Sequence, residues 1–363
     1  MTTKTYFTPG PAQLYPTAQA HLQQALELQI PSISHRSRQF QAIYQQCFEA
    51  LKALLHIPAD FAVLFTGSAT EIWERIILNC SERGSFHLVN GAFSEKFYEV
   101  AAQLKHNPIK QEAALGEGFD PAEVIEVLRL CDTAEIVGLT HNETSAGVSM
   151  PEAHLHQIAA ACPEKLTFVD MVSSAPYPRL DYGLIDSAYF SVQKGFGLPA
   201  GLGVWIVGPR CLAKAQQIAQ SGKPMGALTL MDLWKNFEKF QTPATPNVLA
   251  IYLLGKVAED MLRQGIDHIR QDIEQKAKAL YDYLGSSSIM QPFVRNEAVR
   301  SQTVVVADLD IAQSKIMERL QRKGFVVGTG YKEYKEKHLR IANFPATTWA
   351  DIENLIKEFK KVE

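Results

Sequence analysis

The chain has 363 residues, of which 46% are hydrophobic and 21% are charged, and its formal net charge is −3. This length predicts two domains, and the near-neutral charge argues against a surface for nucleic acid or an anionic membrane. Its five cysteines are scattered and form no C-x-x-C pair, so we expect neither a disulfide framework nor a metal site.

The N-terminal segment has no basic stretch followed by an apolar run, and no stretch of about 18 apolar residues occurs in the sequence. We therefore expect a cytoplasmic protein. A Pro/Gly-rich loop, residues 6–11, comes first, and a helix is predicted over 17–28. A polar loop containing His35 and Arg36 then leads to a longer helix over about 40–56, which Pro58 ends.

Short apolar segments then alternate with helical patterns. Strands are predicted at 61–65, 86–89, 135–139, 166–169, 187–190 and 204–207. Helices are predicted between several of them, at 70–79, 95–104, 121–130 and 152–161. This order is typical of an α/β fold with a mostly parallel sheet that helices cover on both faces.

Helical periodicity dominates from Cys211 to about Tyr283, with an interruption at 242–246. A smaller α/β portion follows, with strands near 303–307, 325–327 and 339–341 and a last helix over about 349–360. We place the domain boundary inside the helix that begins near Asn247. The predicted domains are 16–250, the large one, and 251–363 together with 1–15, the small one.

Lys194 follows a predicted strand and begins a loop of small residues, Lys194-Gly-Phe-Gly-Leu-Pro-Ala-Gly201. A lysine that forms a Schiff base must be held rigidly and partly desolvated, so that its amine is neutral often enough to react. Small neighbours let a flat cofactor approach closely. The residues alone leave a second interpretation open, a solvated lysine on a Gly-rich loop.

Asp170 stands at the end of the strand that precedes the lysine strand. A carboxylate at the carboxyl end of a parallel strand lies where α/β sheets place ligands. Pyridoxal phosphate (PLP) needs such a group, because a carboxylate keeps the pyridine nitrogen protonated and makes the ring an electron sink. A turn or helix-cap aspartate would give the same pattern.

Three more segments follow predicted strands. Gly67-Ser68-Ala69-Thr70 is placed at the start of a helix, an arrangement that can bind phosphate through backbone N–H groups. An ordinary helix cap would have the same sequence pattern. Phe93 is placed either to stack on a cofactor ring or to fill the core. Thr144 is placed either to hydrogen-bond a ring hydroxyl or to form a plain polar turn.

Arg340 lies in a predicted strand between apolar neighbours, where an arginine usually meets an anion. That anion is either a substrate carboxylate, bound bidentately, or the partner in a structural ion pair. The early pair His35-Arg36 would supply a second anion site, or is simply part of a polar loop.

Taken together, these segments resemble the class V aminotransferases, which are PLP enzymes of fold type I, and among them most closely the phosphoserine aminotransferases. The matching segments run from Phe7 to Arg340 and so cover nearly the whole chain. The most specific are Ile33-Ser-His-Arg36, His141-Asn-Glu-Thr144, Val169-Asp170 with Ser173-Ser174, Ser191-Val-Gln-Lys194 with Pro199-Ala-Gly201, and Gln241-Thr-Pro243. The resemblance implies a mostly parallel seven-stranded sheet in the large domain and a smaller α/β domain at the C-terminus.

The resemblance also implies roles around the cofactor. Lys194 would carry pyridoxal 5'-phosphate as a Schiff base and then act as the base for the proton shift, and Asp170 would pair with the pyridinium nitrogen. Phe93 takes the position of the stacking aromatic residue, where phosphoserine aminotransferases usually carry tryptophan. Thr144 would contact the ring oxygen.

The resemblance also implies a homodimer whose active sites are shared between subunits. Residues from both subunits would bind the anionic groups of the cofactor and the substrate. The cofactor phosphate would be held by Ser68, Ala69 and Gln193 and, from the neighbouring subunit, by Gln241 and Thr242; Gln241 stands where asparagine is usual. Arg340 would bind the α-carboxylate of the substrate, and His35 with Arg36 its distal anion.

One segment departs from the pattern. Phosphoserine aminotransferases usually carry a His-Arg pair shortly before the last arginine, whereas this chain reads Gly328-Thr-Gly-Tyr331-Lys332-Glu-Tyr-Lys335. Lys332 or Lys335 would substitute as a point charge, without the bidentate fork of arginine.

The expected reaction is transamination between L-glutamate and 3-phosphohydroxypyruvate, which gives O-phospho-L-serine and 2-oxoglutarate in serine biosynthesis. An alanine–glyoxylate, serine–glyoxylate or serine–pyruvate aminotransferase is the alternative, because the Gly67–Thr70 loop also fits the wider class V pattern. A PLP-fold protein that binds a ligand without turnover is an alternative of another class. The expected partners are amino acids, 2-oxo acids and a second copy of the chain.

Overall fold

The computed structural model describes residues 4–363, which form a seven-stranded sheet, a five-stranded sheet and a short two-stranded hairpin. The strands are β1 (Thr5–Phe7), β2 (Ala62–Thr66), β3 (Ser85–Val89), β4 (Pro108–Glu112), β5 (Ile136–Thr140), β6 (Asn142–Glu143), β7 (Val148–Ser149), β8 (Leu166–Asp170), β9 (Ser187–Ser191), β10 (Gly203–Val207), β11 (Met290–Pro292), β12 (Val304–Leu309), β13 (Phe325–Thr329) and β14 (His338–Ala342). The α-helices are α1 (Ala18–Glu27), α2 (Arg38–Leu55), α3 (Ala69–Cys80), α4 (Ala92–Gln103), α5 (Pro121–Arg129), α6 (Glu152–Ala161), α7 (Pro209–Gln220), α8 (Leu230–Phe237), α9 (Val248–Gln264), α10 (Ile266–Ser286), α11 (Gln313–Arg322) and α12 (Trp349–Lys360).

The larger sheet has the strand order β2-β10-β9-β8-β5-β3-β4. Only β10 runs antiparallel to its neighbours, β2 and β9, and every other pair is parallel. All residues of β2, β3, β8, β9 and β10 are buried, because helices cover both faces of the sheet. The expected mostly parallel seven-stranded sheet is therefore confirmed.

Two strands of this fold carry little sequence signal. The edge strand β4 reads Pro-Ile-Lys-Gln-Glu and is only half-buried, so it has no apolar run. Thr5–Phe7 forms β1, and the prediction of a loop from Tyr6 onward was wrong for Tyr6 and Phe7. Its partner, Phe325–Val327, lies more than 300 residues away in the sequence, so no local pattern reveals the pairing.

Several helices begin at a local cap. The Ser37 hydroxyl accepts a hydrogen bond from Phe40 N at 3.1 Å, and Thr348 and Asp351 form a reciprocal capping box at the start of α12. The helix α4 differs, because it begins at Ala92, three residues before the predicted start, and has no capping side chain of its own. Its cap comes from a distant segment, as described below.

The smaller sheet has the order β1-β13-β14-β12-β11 and packs against α10, α11 and α12 through an apolar core that includes Leu280, Leu320 and Phe359. The strands predicted near 303–307, 325–327 and 339–341 are confirmed as β12, β13 and β14. β11 was missed. The proposed domain limits remain a prediction, and residues 1–3 of the small domain lie outside the described residues.

No helix in the range 4–363 combines the length and the apolar character needed to cross a bilayer. The feature that matters for function is the carboxyl edge of the parallel strands. There, β2, β3, β5, β8 and β9 all deliver the segments in which candidate residues were found, and β14 contributes Arg340 from the smaller sheet.

Candidate active site

Lys194 lies just beyond β9 at this edge and is only 8% exposed. Its aliphatic chain packs against Gly10, where a Cβ atom would lie 3.0 Å from Lys194 Cε. Gly10 has a φ of 121°, a conformation that side chains rarely adopt, so glycine is required there for two reasons. The Nζ atom lies 5.2 Å from the centre of the Phe93 ring.

The pKa of the Lys194 amine is lowered to about 8, mainly by burial and in part by the positive charge of Arg340, against the attraction of Asp170 and Glu143. A substantial fraction of the amine is therefore neutral near physiological pH, as a nucleophilic lysine requires. The alternative of a solvated lysine on a loop does not agree with this burial.

Asp170 is the last residue of β8 and is 5% exposed. Its Oδ1 atom accepts a hydrogen bond from Val172 N at 2.8 Å. Burial raises the pKa of the carboxyl group to about 6, although the Val172 N–H and the charge of Lys194 favour the ionised form. An acid held in this way gains from a cationic ligand, because a bound cation would offset the cost of burying its charge.

Phe93 is the second residue of α4, and the first turn of this helix is fixed by Glu143. The Glu143 carboxylate, 1% exposed, accepts hydrogen bonds from Phe93 N at 3.2 Å and from Ser94 N and Ser94 Oγ at 2.9 Å. Ser145 N and Ser145 Oγ donate to its other oxygen. A side chain at Gly91 would overlap Glu143, which explains the glycine before the helix.

Thr144 is buried in the tight turn between β6 and β7. The same hairpin is tied to the segment after Asp170, because Asn142 Nδ2 donates to Ser173 Oγ at 2.8 Å and Ser173 Oγ donates to Asn142 O at 2.9 Å. His141 N also donates to Asp170 O at 2.9 Å. The segments of Thr144 and Asp170 are therefore held side by side.

The candidate phosphate loop has the expected strand–loop–helix form. Ser68 caps α3 by accepting a hydrogen bond from Glu71 N at 3.3 Å, and Ala69 N donates to Ser191 Oγ at 3.2 Å. The second bond ties the loop to the end of the lysine strand β9. Gln193 lies next to Lys194, and its Oε1 atom is buried without a hydrogen-bond partner within residues 4–363. The unsatisfied oxygen suits a ligand that donates a hydrogen bond, and rotation of the amide would turn its NH2 group toward an anion instead.

Arg340 lies within β14, and its hydrogen bonding to residues 4–363 is limited to Nε, which donates to Thr329 O at 2.7 Å. Its guanidinium group lies over the ring of Tyr331, 5.5 Å from the ring centre, and Tyr331 in turn lies 5.7 Å from the Phe93 ring. Burial lowers the pKa of Arg340 below its ordinary value. Both Nη atoms remain available for a carboxylate.

A second group of candidates is formed by Arg36 and the segment Gln241–Pro243. Arg36 donates from Nη1 to Gln241 Oε1 and from Nη2 to Pro243 O, each at 3.3 Å. Thr242 is buried, and its hydroxyl has no partner within the described range. His35 precedes this arginine and is half-buried. The chain thus joins Arg36 to the Gln241–Pro243 segment, and no hydrogen bond or ion pair in residues 4–363 links either to Lys194 or Arg340.

Three residues of the site were not found from the sequence, namely Glu143, Tyr331 and Gly10. Glu143 lies within the motif His141-Asn-Glu-Thr144. Its large separation from Phe93 in the sequence does not predict that the two residues are hydrogen-bonded. Tyr331 occurs in the segment that lacks the His-Arg pair, where Lys332 and Lys335 were the predicted substitutes. Both lysines are exposed to solvent, whereas the loop turns the ring of Tyr331 toward Phe93.

The chain was also compared with known proteins. The sequence profile of the family described as Aminotransferase class-V matches residues 6–355. A phosphoserine aminotransferase from Rhodococcus opacus (strain B4) is 28% identical over 355 residues, which cover 96% of this chain and 92% of that protein.

Solved structures give the same picture. The crystal structure of a phosphoserine aminotransferase from Cytophaga hutchinsonii is 45% identical, has a TM-score of 0.95, and the match covers 99% of both chains. An alanine–glyoxylate aminotransferase from Nostoc sp. shares the fold at 20% identity, with a TM-score of 0.87 and coverage of 100% of this chain and 96% of that one.

Proposed function

This chain belongs to the class V aminotransferases, and from this membership we propose that it transfers the amino group of L-glutamate to 3-phosphohydroxypyruvate. The products are O-phospho-L-serine and 2-oxoglutarate, so the proposed reaction is the transamination step of serine biosynthesis. The assignment is supported by relatives that are phosphoserine aminotransferases, one of them 45% identical over 99% of the chain.

The observation that carries the proposal is the buried pair formed by Lys194, whose amine has a pKa of about 8, and Asp170, whose carboxyl group has a pKa of about 6. Class V aminotransferases use PLP, and the residues at the sheet edge fit this group. An aldehyde needs a neutral amine, and a protonated pyridine nitrogen needs a buried carboxylate. A phosphate needs hydrogen-bond donors, which the start of α3 and the NH2 group of the Gln193 amide would supply. When bound, PLP supplies an electron sink for the charge that develops at the α-carbon of the substrate.

The side chains at the site would hold the cofactor in place and transfer protons. Lys194 Nζ would hold the cofactor and move a proton, because its pKa allows it both to accept and to release one near neutral pH. Asp170, ionised above pH 6, would hold a proton on the ring nitrogen. Phe93 would present its ring face to the cofactor, and Thr144 would contact the ring oxygen.

Residues around Lys194 and Asp170 would bind the anionic groups of the cofactor and the substrate. Ser68, Ala69 and Gln193 would hold the cofactor phosphate, and the free Nη atoms of Arg340 would bind the α-carboxylate in a bidentate manner.

We further propose that the active sites are shared in a homodimer. The supporting observation is that Arg36 is hydrogen-bonded to Gln241 and Pro243, whereas no hydrogen bond or ion pair within residues 4–363 links it to Lys194. These residues, with His35 and Thr242, would complete the site of the neighbouring subunit. The division into a large domain, 16–250, and a small domain, 251–363 with 1–15, belongs to the same proposal.

A screen of amino donors tests the function. We expect the purified protein, loaded with PLP, to lose its visible absorbance with O-phosphoserine and with glutamate, and much more slowly with serine or alanine. Lys194→Ala should lose both the visible absorbance and turnover, whereas Lys315→Ala, a substitution of an exposed lysine on α11, should lose neither. A coloured and active Lys194→Ala protein contradicts the cofactor assignment, and a preference for alanine or serine contradicts the substrate assignment.

A further inference from the structure

Three cations lie close to the rings of Phe93 and Tyr331, whose centres are 5.7 Å apart and whose planes are tilted by 50°. The Phe93 ring lies 5.2 Å from Lys194 Nζ and 5.5 Å from Lys96 Nζ. The Tyr331 ring lies 5.5 Å from the Arg340 guanidinium carbon and 5.7 Å from Lys96 Nζ. Lys96 Nζ also donates a hydrogen bond to Tyr331 Oη at 3.1 Å. Lys96 therefore stands at the border of the candidate active site, although the proposed mechanism gives it no role.

None of these three cations forms an ion pair with a carboxylate inside the range 4–363. The acid that precedes Lys96, Glu95, pairs with Lys110 instead. Lys194 and Arg340 would meet the cofactor and the α-carboxylate, which leaves Lys96 as a cation with no assigned anion. The proposed substrates, phosphoserine and glutamate, each carry a second anionic group.

We propose that Lys96 and Tyr331 bind this second anionic group, which is the phosphate of phosphoserine or the side-chain carboxylate of glutamate. The pair stands in for the His-Arg pair that this chain lacks, and it acts together with His35 and Arg36. The inference rests on the proposed function for the identity of the substrate. It does not require that Lys332 or Lys335 reach the site.

The chemistry of the two side chains suits a phosphate or a carboxylate. The Tyr331 oxygen accepts its hydrogen bond from Lys96, so the phenol proton remains free to be donated to an anion oxygen. Lys96 has further N–H groups that can bind the same anion as a compact point charge. Two donors would thus converge on one anion from neighbouring positions.

The dimensions also suit a short dianion. The Arg340 guanidinium carbon and Lys96 Nζ lie 5.5 and 5.7 Å from the same ring centre, so their separation cannot exceed the sum of these two distances. An amino acid whose α-carboxylate is bound by Arg340 would therefore need only a short side chain to bring its second anion to Lys96. The loop that places Tyr331 is tightly turned, since Lys332 has a φ of 48° and a side chain at Gly330 would overlap Tyr334 O. The position of the Tyr331 ring is therefore built into the fold of the loop.

The test compares three variants of the PLP-loaded protein with wild type. Lys96→Gln removes the charge, Tyr331→Phe keeps the ring but removes the hydroxyl, and Lys105→Gln removes an equal charge from an exposed lysine just beyond the other end of α4. The readouts are kcat/KM and KM with O-phosphoserine, glutamate and alanine as amino donors. Binding of O-phosphoserine is measured in parallel by calorimetry.

We expect Lys96→Gln to reduce kcat/KM for phosphoserine and glutamate about 10- to 100-fold, mainly through KM, because a charged hydrogen-bond donor is lost. Tyr331→Phe should cause a smaller loss of about 3- to 10-fold. Alanine, which has no second anion, should react with Lys96→Gln as it does with wild type, and Lys105→Gln should match wild type with all donors. Equal losses for alanine and phosphoserine, or no loss with Lys96→Gln, overturn the inference.

The calorimetry separates this inference from the proposed function. If wild type binds phosphoserine tightly but does not transaminate it, the proposed reaction fails and the anion site stands, provided that Lys96→Gln weakens binding by the same factor. If wild type converts phosphoserine and Lys96→Gln binds it equally well, the reaction stands and the anion site fails. Absence of phosphoserine binding by wild type overturns both.

Discussion

The backbone N–H of Phe93 donates a hydrogen bond to the Glu143 carboxylate at 3.2 Å, so a buried acid from the β6 strand fixes the start of the helix that carries the candidate stacking ring. Ser94 donates to the same carboxylate from both its backbone and its hydroxyl group. The N-terminus of a helix favours a negative charge, and here the charge is supplied from outside the helix. The hairpin of Thr144 and the ring of Phe93 are thereby held in one arrangement.

Glu143→Gln should lower both the stability of the protein and its affinity for PLP. A glutamine amide presents N–H groups where the carboxylate accepted hydrogen bonds, so at least one buried donor of Ser94 or Ser145 loses its partner, at a cost of about 1–3 kcal/mol. Urea unfolding of the cofactor-free protein measures the first effect, and equilibrium binding of PLP the second.

Glu99→Gln is the control for this prediction, since Glu99 lies on the same helix and is exposed. We expect it to match wild type in both measurements. A Glu143→Gln protein that is as stable as Glu99→Gln and binds PLP equally well would show that α4 needs no cap from the β6 strand.

The uptake of PLP by the cofactor-free protein should depend on pH through Lys194. Only the neutral amine attacks an aldehyde, and the pKa of about 8 predicts that the neutral fraction rises from roughly one tenth at pH 7 to roughly nine tenths at pH 9. The rate, followed by the growth of visible absorbance, should therefore rise about 10-fold across this interval and then level off. Asp170, with a pKa of about 6, is already ionised there.

A lysine analogue with a blocked α-amine provides the reference for this measurement. Its amine has an ordinary pKa near 10.4, so its reaction with PLP should keep accelerating between pH 9 and pH 10. If the protein follows the analogue, then the Lys194 amine is not desolvated in solution and its assigned role loses its physical basis.

The sequence predicts the parallel sheet well because the buried strands are continuous apolar segments. It also makes Lys194, Asp170 and Arg340 candidates for the site, since a charged residue at the end of such a strand or inside it stands out from its neighbours. What the sequence does not reveal depends on contacts between distant segments. The early start of α4 requires Glu143, some 50 positions away, and the inward turn of Tyr331 is a property of loop geometry. The strand β1 likewise exists only through its pairing with β13.

Burial of the Lys194 amine should also cost stability, and a substitution would reveal the cost. The folded-state pKa of about 8 lies below the ordinary lysine value of 10.5, so the unfolded chain binds this proton more tightly than the folded chain. The cost is therefore fully present below pH 8 and disappears as the pH rises to 10.5. Lys194→Met, which keeps most of the side-chain volume, should stabilise the cofactor-free protein by about 1–3 kcal/mol at pH 7.

The gain in the free energy of unfolding should shrink steadily between pH 8 and pH 10.5. Urea unfolding at pH 7 and at pH 10 measures both values, and Lys315→Met, a substitution of an exposed lysine, should give no comparable change at either pH. A gain that is the same at both pH values would indicate improved packing by methionine and would remove the electrostatic explanation.

Sharing of the active site between subunits predicts complementation. Arg36 is bonded to Gln241 and Pro243, so it should enter the neighbouring site together with that segment. Homodimers of Lys194→Ala and of Arg36→Ala should each have little activity with phosphoserine. In a mixed dimer, however, the Lys194 of one subunit meets the Arg36 of the other, and one of the two sites is intact. Unfolding and refolding an equal mixture should therefore restore about a quarter of the wild-type activity, because half of the randomly formed dimers are mixed. If each chain used its own Arg36, no mixed dimer would contain an intact site and activity would stay at the level of the separate variants.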